Sequence, residues 1–308
     1  MKKLLITAFF LIFLLKTLVA QDLYVRTFGN NTGKPVIFLH GGPGYNAAAF
    51  EISTAKPLSE KGYFVIVYDR RGEGRSAKAT NAAYTFQQTF DDLTDLMAKY
   101  NIQKATLIGH SFGGLVGTLF TEKYPSRVQE LILASVPVVM QETFRTILVS
   151  SKKIYEARRD TSNLHYINLI EKMDTASIEY STYLFMHAMQ NGFYSTKTPN
   201  ETAIFLYSAA KKDSLYPYLS QMSREATIGY WQKERYTTLN ISEQIKNIRI
   251  RGIRIIGIYG KEDGLYSPIQ VMQLENLIGN QNVYYLDNCS HNVFIDRQDQ
   301  FISLINEL

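Results

Sequence analysis

Short apolar runs alternate along most of the chain with stretches in which apolar residues recur at helical spacing. The runs end near Gly29, His40, Asp69, Gly109, Val136, Gly260 and Asp287. Continuous apolar runs are typical of strands that are buried on both faces of a sheet, and strands that alternate with helices form parallel sheets. The pattern therefore predicts an α/β fold, with a mostly parallel central sheet and helices on both faces.

The alternation stops between residues 138 and 248. This segment is rich in Tyr, Ser, Thr, Lys and Glu, and it contains helical patterns at 144–158 and 180–191. We interpret it as a helical cap that is inserted after the sixth core strand, which leaves residues 21–137 and 249–308 as the two parts of the core. A cap of this kind would close a pocket and exclude water from it.

Residues 1–20 have the layout of a secretory signal peptide. Two lysines precede an apolar run over residues 4–15, and cleavage after Ala20 fits the pattern. An uncleaved anchor stays open because Leu18 is bulky for its position, although the run is shorter than the roughly 20 residues of a membrane-spanning helix. We expect a secreted or periplasmic protein that has no stable membrane insertion once the leader is removed.

Composition narrows the classes of cofactor and partner that the chain could bind. Cys289 is the only cysteine, so the chain has no internal disulfide, and we expect a buried small apolar residue there instead of a metal ligand. The formal charge of +5 includes the lysines of the leader, and the rest of the excess is not clustered. We therefore expect no nucleic-acid partner, no metal and no organic cofactor, and the oligomeric state stays open.

The most informative motif is Gly109-His-Ser111-Phe-Gly113, which lies between an apolar run and a helical pattern. A sharp strand-to-helix turn would hold the serine in a strained backbone conformation and leave no room for side chains at the flanking glycines. The positive end of the following helix would face a developing oxyanion. Ser111 is thus the predicted nucleophile of an acyl-transfer reaction, and a chance match is the alternative.

Two further loops follow apolar runs. The first, His40-Gly-Gly-Pro-Gly44, is glycine-rich, and Pro43 has no N–H, so Gly42 is the predicted oxyanion donor together with the N–H of Phe112. A tight turn without catalytic role is the alternative. The second loop, over residues 70–76, is strongly charged, and we interpret its charges as holding the loop in shape.

A serine nucleophile needs a general base, and five histidines are available. His40 belongs to the glycine-rich loop, and the ring of His110 should point away from the nucleophile. His165 and His187 fall in the inserted segment. His291, which follows the last strand-like run, is therefore the predicted base, with capping of the last helix as its alternative role.

The base needs a carboxylate that orients it, and Asp263 follows a buried strand at a suitable place. The neighbouring Glu262 is the second choice, because adjacent side chains point in different directions and only one can reach the histidine. A carboxylate that only starts the next turn or helix is the alternative role. The predicted order along the chain is Ser111, Asp263, His291.

With these motifs the chain resembles the α/β-hydrolases, and more narrowly the proline iminopeptidase group. The resemblance rests on 40–44, 69–76, 109–114 and the surroundings of Asp263 and His291. The chain departs from that group at Arg70, where glutamine is typical, and at Phe112, where tryptophan is typical. A clear counterpart of the Trp-Glu segment of that group's cap is also not found, so proline selectivity is left open.

The resemblance implies an aminopeptidase that binds a small molecule or short peptide and releases its N-terminal residue, and the leader adds that the enzyme is exported. A carboxylesterase or lipase-like enzyme is the second reading, and a non-catalytic ligand-binding protein is the third. Acidic cap residues bind the substrate amine in the proline iminopeptidases, and Glu201, Glu225 and Glu234 are the candidates here. The cap aromatics that could line an apolar pocket are Phe193, Tyr194, Phe205, Tyr207, Tyr216, Tyr218, Tyr230 and Trp231.

Overall fold

The structure, a computed structural model, describes residues 23–79 and 81–307, and in them seven strands form one sheet. The strands are β1 (Val25–Phe28), β2 (Lys34–Leu39), β3 (Tyr63–Tyr68), β4 (Ala105–His110), β5 (Val128–Ala134), β6 (Arg254–Gly260) and β7 (Val283–Leu286). Their order in the sheet is β1-β3-β2-β4-β5-β6-β7, and only β1 is antiparallel to its neighbour. The mostly parallel sheet that the apolar runs predict is confirmed.

Each strand ends within two residues of a predicted end. The agreement has a simple cause: the inner strands are covered on both faces, so nearly every position is apolar. In β3, for example, all six residues are buried. A parallel sheet buried in this way produces continuous apolar runs that are easy to recognise.

The helices cover both faces of the sheet, as predicted. They are α1 (Ala48–Phe50), α2 (Lys56–Ser59), α3 (Phe86–Lys99), α4 (Phe112–Lys123), α5 (Met140–Arg158), α6 (Thr161–Ile170), α7 (Ile178–Gln190), α8 (Glu201–Ala210), α9 (Arg224–Glu234), α10 (Ser242–Ile250), α11 (Pro268–Ile278), α12 (Val293–Asp296) and α13 (Gln298–Asn306). Apolar residues of α3, α4, α10 and α11 pack on one face of the sheet, and those of α1, α2, α12 and α13 pack on the other.

Between β5 and β6 the chain forms α5 to α10. The helical patterns at 144–158 and 180–191 coincide with α5 and α7. The strand before this segment is the fifth of the described chain, and the count of six made from the sequence is wrong, because the sequence alone offers only five apolar runs up to that point. The division into core and cap at residues 138 and 248 stays a prediction.

The predicted signal peptide lies outside the described residues. Across 23–79 and 81–307, none of the helices combines the length and the apolar character that crossing a bilayer requires.

Candidate active site

Ser111 lies between β4 and α4 with backbone angles φ 52° and ψ −123°. This conformation is outside the regions that are open to residues with a side chain, so the predicted strain is present. Hydrogen bonds fix the turn: the N–H of Ser111 donates to the carbonyl oxygen of Ala134 over 3.0 Å, and its own carbonyl accepts from Gly114 N–H over 2.9 Å. The hydroxyl-bearing carbon is thereby held at the carboxyl edge of the sheet.

The glycines of the motif allow α4 to approach the sheet closely. A Cβ atom added at Gly109 would lie 2.5 Å from the Cα of Gly114, and one added at Gly113 would lie 2.0 Å from the carbonyl oxygen of Leu39. Both distances are far below van der Waals contact. The two glycines are therefore required by backbone packing under the serine.

Asp263 and His291 meet in the loops that follow β6 and β7. The Nδ1 of His291 donates to an Asp263 carboxylate oxygen over 2.8 Å, and both residues are buried. The other carboxylate oxygen accepts from Leu265 N–H over 3.0 Å. Nδ1 is thus occupied by the carboxylate, and Nε2 is the ring atom that remains for a reacting group.

His110 does not take part in this pair, although it is next to Ser111 in sequence. Its Nε2 donates to the backbone carbonyl of His291 over 3.1 Å, and the two rings lie 4.8 Å apart. Burial, followed by the nearby His291, lowers the pKa of His110 well below its usual value, so the ring is neutral and packs as a core residue.

Tyr266 connects the serine to the histidine. Its ring is stacked 6.1 Å from that of His291, its hydroxyl donates to the carbonyl oxygen of Ser135 over 2.8 Å, and a hydrogen bond links it to Ser111. Burial raises the pKa of Tyr266 well above its usual value, so the hydroxyl stays protonated. Tyr266 belongs to none of the predicted site residues, and its position three residues after Asp263 is the only signal of it in the sequence.

The glycine-rich loop is cradled by a buried ion pair. The guanidinium of Arg70 donates to the carbonyl oxygens of His40 and Gly41 over 2.5 and 2.6 Å, and it pairs with Glu73 over 2.9 Å. Glu73 also accepts from the N–H of Gly44 over 2.8 Å. Burial raises the pKa of Glu73 even though Arg70 opposes this, so the pair is costly to desolvate and its role is to shape the loop.

Backbone N–H groups without a hydrogen-bond acceptor lie in the glycine-rich loop and at the start of α4. Gly42 has φ 119°, and within the described residues its N–H donates no hydrogen bond. Phe112 is the first residue of α4, so its N–H has no acceptor inside the helix. On the other side, the Thr227 hydroxyl in α9 donates to the carbonyl oxygen of Pro43 over 3.0 Å, which ties the loop to the segment between β5 and β6.

The charged loop over residues 70–76 has the structural role that the sequence indicated. Arg75 pairs with Asp69 over 2.7 Å and with Glu51 over 2.6 Å, and Arg71 pairs with Asp92 over 2.5 Å. These side chains are mostly buried and paired with one another. Their charges are therefore used inside the fold.

Aromatic rings pack around Phe112, the residue that follows the nucleophile. The ring of Phe112 lies 5.2 Å from that of Tyr230, 5.6 Å from that of Tyr236 and 5.9 Å from that of Phe86. All four rings are buried. Phe112 is thus packed in an aromatic cluster, and the guanidinium of Arg70 also lies 5.2 Å from its ring.

The predicted cap aromatics divide into distinct groups. Phe193 is buried, and the ring of Tyr194 meets His291 edge-on at 5.1 Å, so this pair reaches the site. Phe205 is 69% exposed and Tyr216 is 45% exposed, which makes them surface residues. Trp231 donates its ring N–H to the carbonyl oxygen of Ala176 and has a structural role.

The three candidate cap carboxylates also differ. Glu234 accepts from the N–H of Phe86 over 2.7 Å and so caps the start of α3. Glu201 is exposed in the first turn of α8. Glu225 is exposed in the first turn of α9, two residues before Thr227, and it accepts a hydrogen bond from Tyr84. Of the three, Glu225 is the one next to the glycine-rich loop.

Cys289 is fully buried, as the sequence indicated, and burial raises the pKa of its thiol. In the described ranges, no group of three His, Cys, Asp or Glu side chains is arranged to hold a metal ion.

Comparisons with known proteins agree with this architecture. A family model for the alpha/beta hydrolase fold matches residues 34–298. The chain is 23% identical to the proline iminopeptidase of Lactobacillus helveticus, with 94% of each chain covered. It is 25% identical to that of Saccharolobus solfataricus, with 93% of this chain and 91% of the relative covered.

Two solved structures illustrate the similarity of fold. An esterase from Exiguobacterium antarcticum superposes with a TM-score of 0.60 at 18% identity, and 92% of this chain and 94% of the esterase are covered. A proline iminopeptidase from Mycobacterium smegmatis superposes with a TM-score of 0.59 at 16% identity, with 92% and 93% covered.

Proposed function

The chain belongs to the alpha/beta hydrolase family, and from this premise we propose that it hydrolyses carboxylic acid derivatives through an acyl-enzyme formed on Ser111. The observation that carries the proposal is the 2.8 Å hydrogen bond between Asp263 and His291. These residues follow β6 and β7, at the same carboxyl edge of the sheet as Ser111 on its strained turn after β4. Enzymes of this family and of its hydrolase relatives use such groups as nucleophile, base and orienting acid.

In the proposed reaction, Ser111 attacks the substrate carbonyl while Nε2 of His291 takes the hydroxyl proton. Asp263 holds the imidazole in the tautomer with the proton on Nδ1 and stabilises the imidazolium that forms. The imidazolium then gives its proton to the leaving amine or alcohol. A water molecule attacks the acyl-enzyme by the same route and releases the acid.

The developing oxyanion would be held by the N–H groups of Gly42 and Phe112, which are not engaged elsewhere in the described chain. Preformed donors of this kind are worth more in a buried site than in water, since they do not need to reorganise during the reaction. The Arg70–Glu73 pair supports this function by fixing the loop that carries Gly42.

The first candidate substrate is a peptide or amide with a free N-terminal residue. The relatives that cover more than nine-tenths of the chain and carry this activity in their names favour it. Glu225 is the carboxylate that we assign to the substrate amine, because α9 touches the glycine-rich loop through Thr227. The Glu225 carboxylate accepts a hydrogen bond from Tyr84. Because the side chain is exposed, the carboxylate can also bind the substrate amine.

The second candidate is a carboxylic ester with an uncharged acyl group. The aromatic cluster of Phe112, Tyr230, Tyr236 and Phe86 favours it, since it makes the surroundings of the residue after the nucleophile largely apolar, and an uncharged acyl group needs no charged partner. The similarity of fold to the esterase is compatible with both candidates.

The catalytic assignment is tested by labelling and by substitution of the nucleophile and of the orienting carboxylate. A fluorophosphonate probe should label the wild-type protein and leave Ser111→Ala unlabelled. Asp263→Asn should stay folded and lose kcat by about 10⁴-fold, because the imidazole then adopts the wrong tautomer. Undiminished labelling of Ser111→Ala, or full activity of Asp263→Asn, would refute the assignment.

The substrate class is tested with matched compounds. An L-prolyl or other L-aminoacyl arylamide should react faster than its N-acetylated form and faster than p-nitrophenyl esters of similar acyl size. Glu225→Gln should raise KM for the free amine by roughly tenfold, the effect of about 1.4 kcal/mol, while the equally exposed Glu201→Gln should change nothing. Equal rates for free and acetylated amides, or reaction with esters alone, would select the ester hydrolase.

We also propose export through the predicted signal peptide. Amino-terminal sequencing of the protein recovered from the periplasm or medium should begin at Gln21. Recovery of the chain only in the membrane fraction with Met1 intact would replace this proposal with an uncleaved anchor.

A further inference from the structure

Glu262 is the neighbour of Asp263 in sequence, but its carboxylate points to a different part of the molecule. One oxygen accepts from the hydroxyl of Thr196 over 2.8 Å and from the N–H of Lys197 over 2.5 Å. The other lies 3.1 Å from the hydroxyl of Thr198, which shares its proton with the side-chain oxygen of Asn288 at 2.9 Å. Three consecutive residues of the loop between α7 and α8 are thus bound by one carboxylate.

The beginning of the same loop is bound by residues next to the catalytic pair. The carbonyl oxygen of Phe193 accepts from the N–H of Gly264 over 3.0 Å and from the hydroxyl of Ser290 over 3.1 Å. Gly264 directly follows Asp263, and Ser290 directly precedes His291. Between these anchors, Tyr194 places its ring edge-on against His291 at 5.1 Å.

Few apolar contacts hold the second half of the loop. Phe193 is the only fully buried side chain of residues 193–198, and Tyr194 and Thr196 are half-buried. A segment with so little apolar burial is ordered mainly by its hydrogen bonds. Hydrogen bonds to an ionised carboxylate are about twice as strong as neutral ones. The bonds to Glu262 therefore contribute most to the ordering of the second half of the loop.

The ionisation state of Glu262 agrees with this role. Burial opposes the charged form, but the hydrogen bonds from Lys197, Thr196 and Thr198 outweigh it, and the pKa of Glu262 lies below its usual value. The carboxylate is therefore charged at neutral pH and accepts from Thr196 and Lys197, while Thr198 is shared with Asn288.

We infer that Glu262 is a positioning residue that fastens the 193–198 loop to the core, and that it thereby sets where Tyr194 stands over His291 and which substrates fit there. The inference rests on the proposed hydrolase function, since it gives this loop a part in binding the acyl group. One short segment, residues 262–264, would then supply both the orienting acid and the anchor of the substrate-covering loop.

The consequence is a separation between two adjacent carboxylates. Asp263 acts on the reacting histidine and should affect kcat. Glu262 acts on the closed population of the loop and should affect apparent affinity, because affinity falls in proportion to the fraction of molecules that are competent to bind.

The test uses Glu262→Gln in the full mature chain, with Asp287→Asn as the matched control. Asp287 is an exposed carboxylate at the same edge, and Lys261 is the only partner of its carboxylate among the described residues. We expect Glu262→Gln to raise KM by about tenfold with kcat changed by less than threefold, and to speed hydrogen exchange of the Lys197 amide by a similar factor. The control should leave both quantities unchanged.

A second variant guards against misfolding of the first. Thr196→Val removes the hydroxyl that donates to Glu262 and leaves the bond between Thr198 and Asn288 in place, and it should reproduce the faster exchange at Lys197. Unchanged exchange in both variants would overturn the inference, as would a loss confined to kcat in Glu262→Gln.

Failure of the proposed function gives a different pattern. If the wild type hydrolyses neither amides nor esters, exchange at Lys197 still reports on the loop in all three variants. Faster exchange in Glu262→Gln would then support the anchor without the substrate role, and that result would overturn only the part of the inference that concerns substrate selection.

Discussion

Ser111→Gly should make the protein more stable than Ser111→Ala, although glycine is normally the less stabilising residue. Both substitutions remove the hydroxyl, so the comparison isolates the Cβ atom. At φ 52° and ψ −123° a Cβ atom is strained, and strain of this kind costs on the order of 1–3 kcal/mol. Glycine is free of that cost.

The opposing effect is the greater freedom of glycine in the unfolded chain, which costs about 0.5–1 kcal/mol. Taking about 2 kcal/mol for the strain, the balance favours Ser111→Gly by roughly 1 kcal/mol. For a chain of 308 residues such a difference raises the melting temperature by about 1–2 °C. Ala98→Gly on the exposed side of α3 is the control, and it should lose about 1 kcal/mol.

Urea unfolding would be followed by far-UV circular dichroism and by the fluorescence of Trp231, the single tryptophan. Coincident transitions by the two probes would justify a single free energy of unfolding. If Ser111→Gly proved no more stable than Ser111→Ala while Ala98→Gly lost stability as expected, the turn would not be strained and the reasoning would be wrong.

Two further predictions concern packing and pH. Gly113→Ala should cost at least about 3 kcal/mol or prevent folding, because its Cβ atom would lie 2.0 Å from the carbonyl oxygen of Leu39. Gly117→Ala in the same helix meets only side-chain ends at 3.1 and 3.2 Å, so it should change stability by about 1 kcal/mol at most. Thermal unfolding of both variants checks this difference. Burial, and then the charge of Arg70, lowers the pKa of His40 well below 6.5. The unfolded chain therefore takes up a proton that the native state refuses, and the stability from the neutral ring is present above pH 6.5 and lost as pH falls, by up to about 1.4 kcal/mol per pH unit. His40→Gln should flatten this dependence between pH 7 and 5 relative to the wild type, the exposed His165→Gln should not, and equal slopes in all three proteins would contradict the assignment.

The sequence was sufficient for the parts of the fold that depend on local pattern. Strands buried on both faces need apolar residues at almost every position, so the ends of the inner strands are visible as ends of apolar runs. The turn at Ser111 is equally visible, since only glycine permits the backbone distances at Gly109 and Gly113. These are requirements of covalent geometry and close packing, and each acts within a few residues.

Contacts between distant parts of the chain were decided by the tertiary structure. Asp263 and Glu262 are equally suitable carboxylates in the sequence, and the direction of each side chain follows from how the chain leaves β6. Asp263 reaches His291, and Glu262 reaches a loop 64 to 66 residues away in sequence. Tyr266 is an ordinary loop tyrosine in the sequence, and only the packing of three segments puts its ring and hydroxyl between His291, Ser135 and Ser111. Pairings of this kind carry no local pattern, because a hydrogen bond across the fold constrains two residues and leaves their neighbours in sequence free to vary.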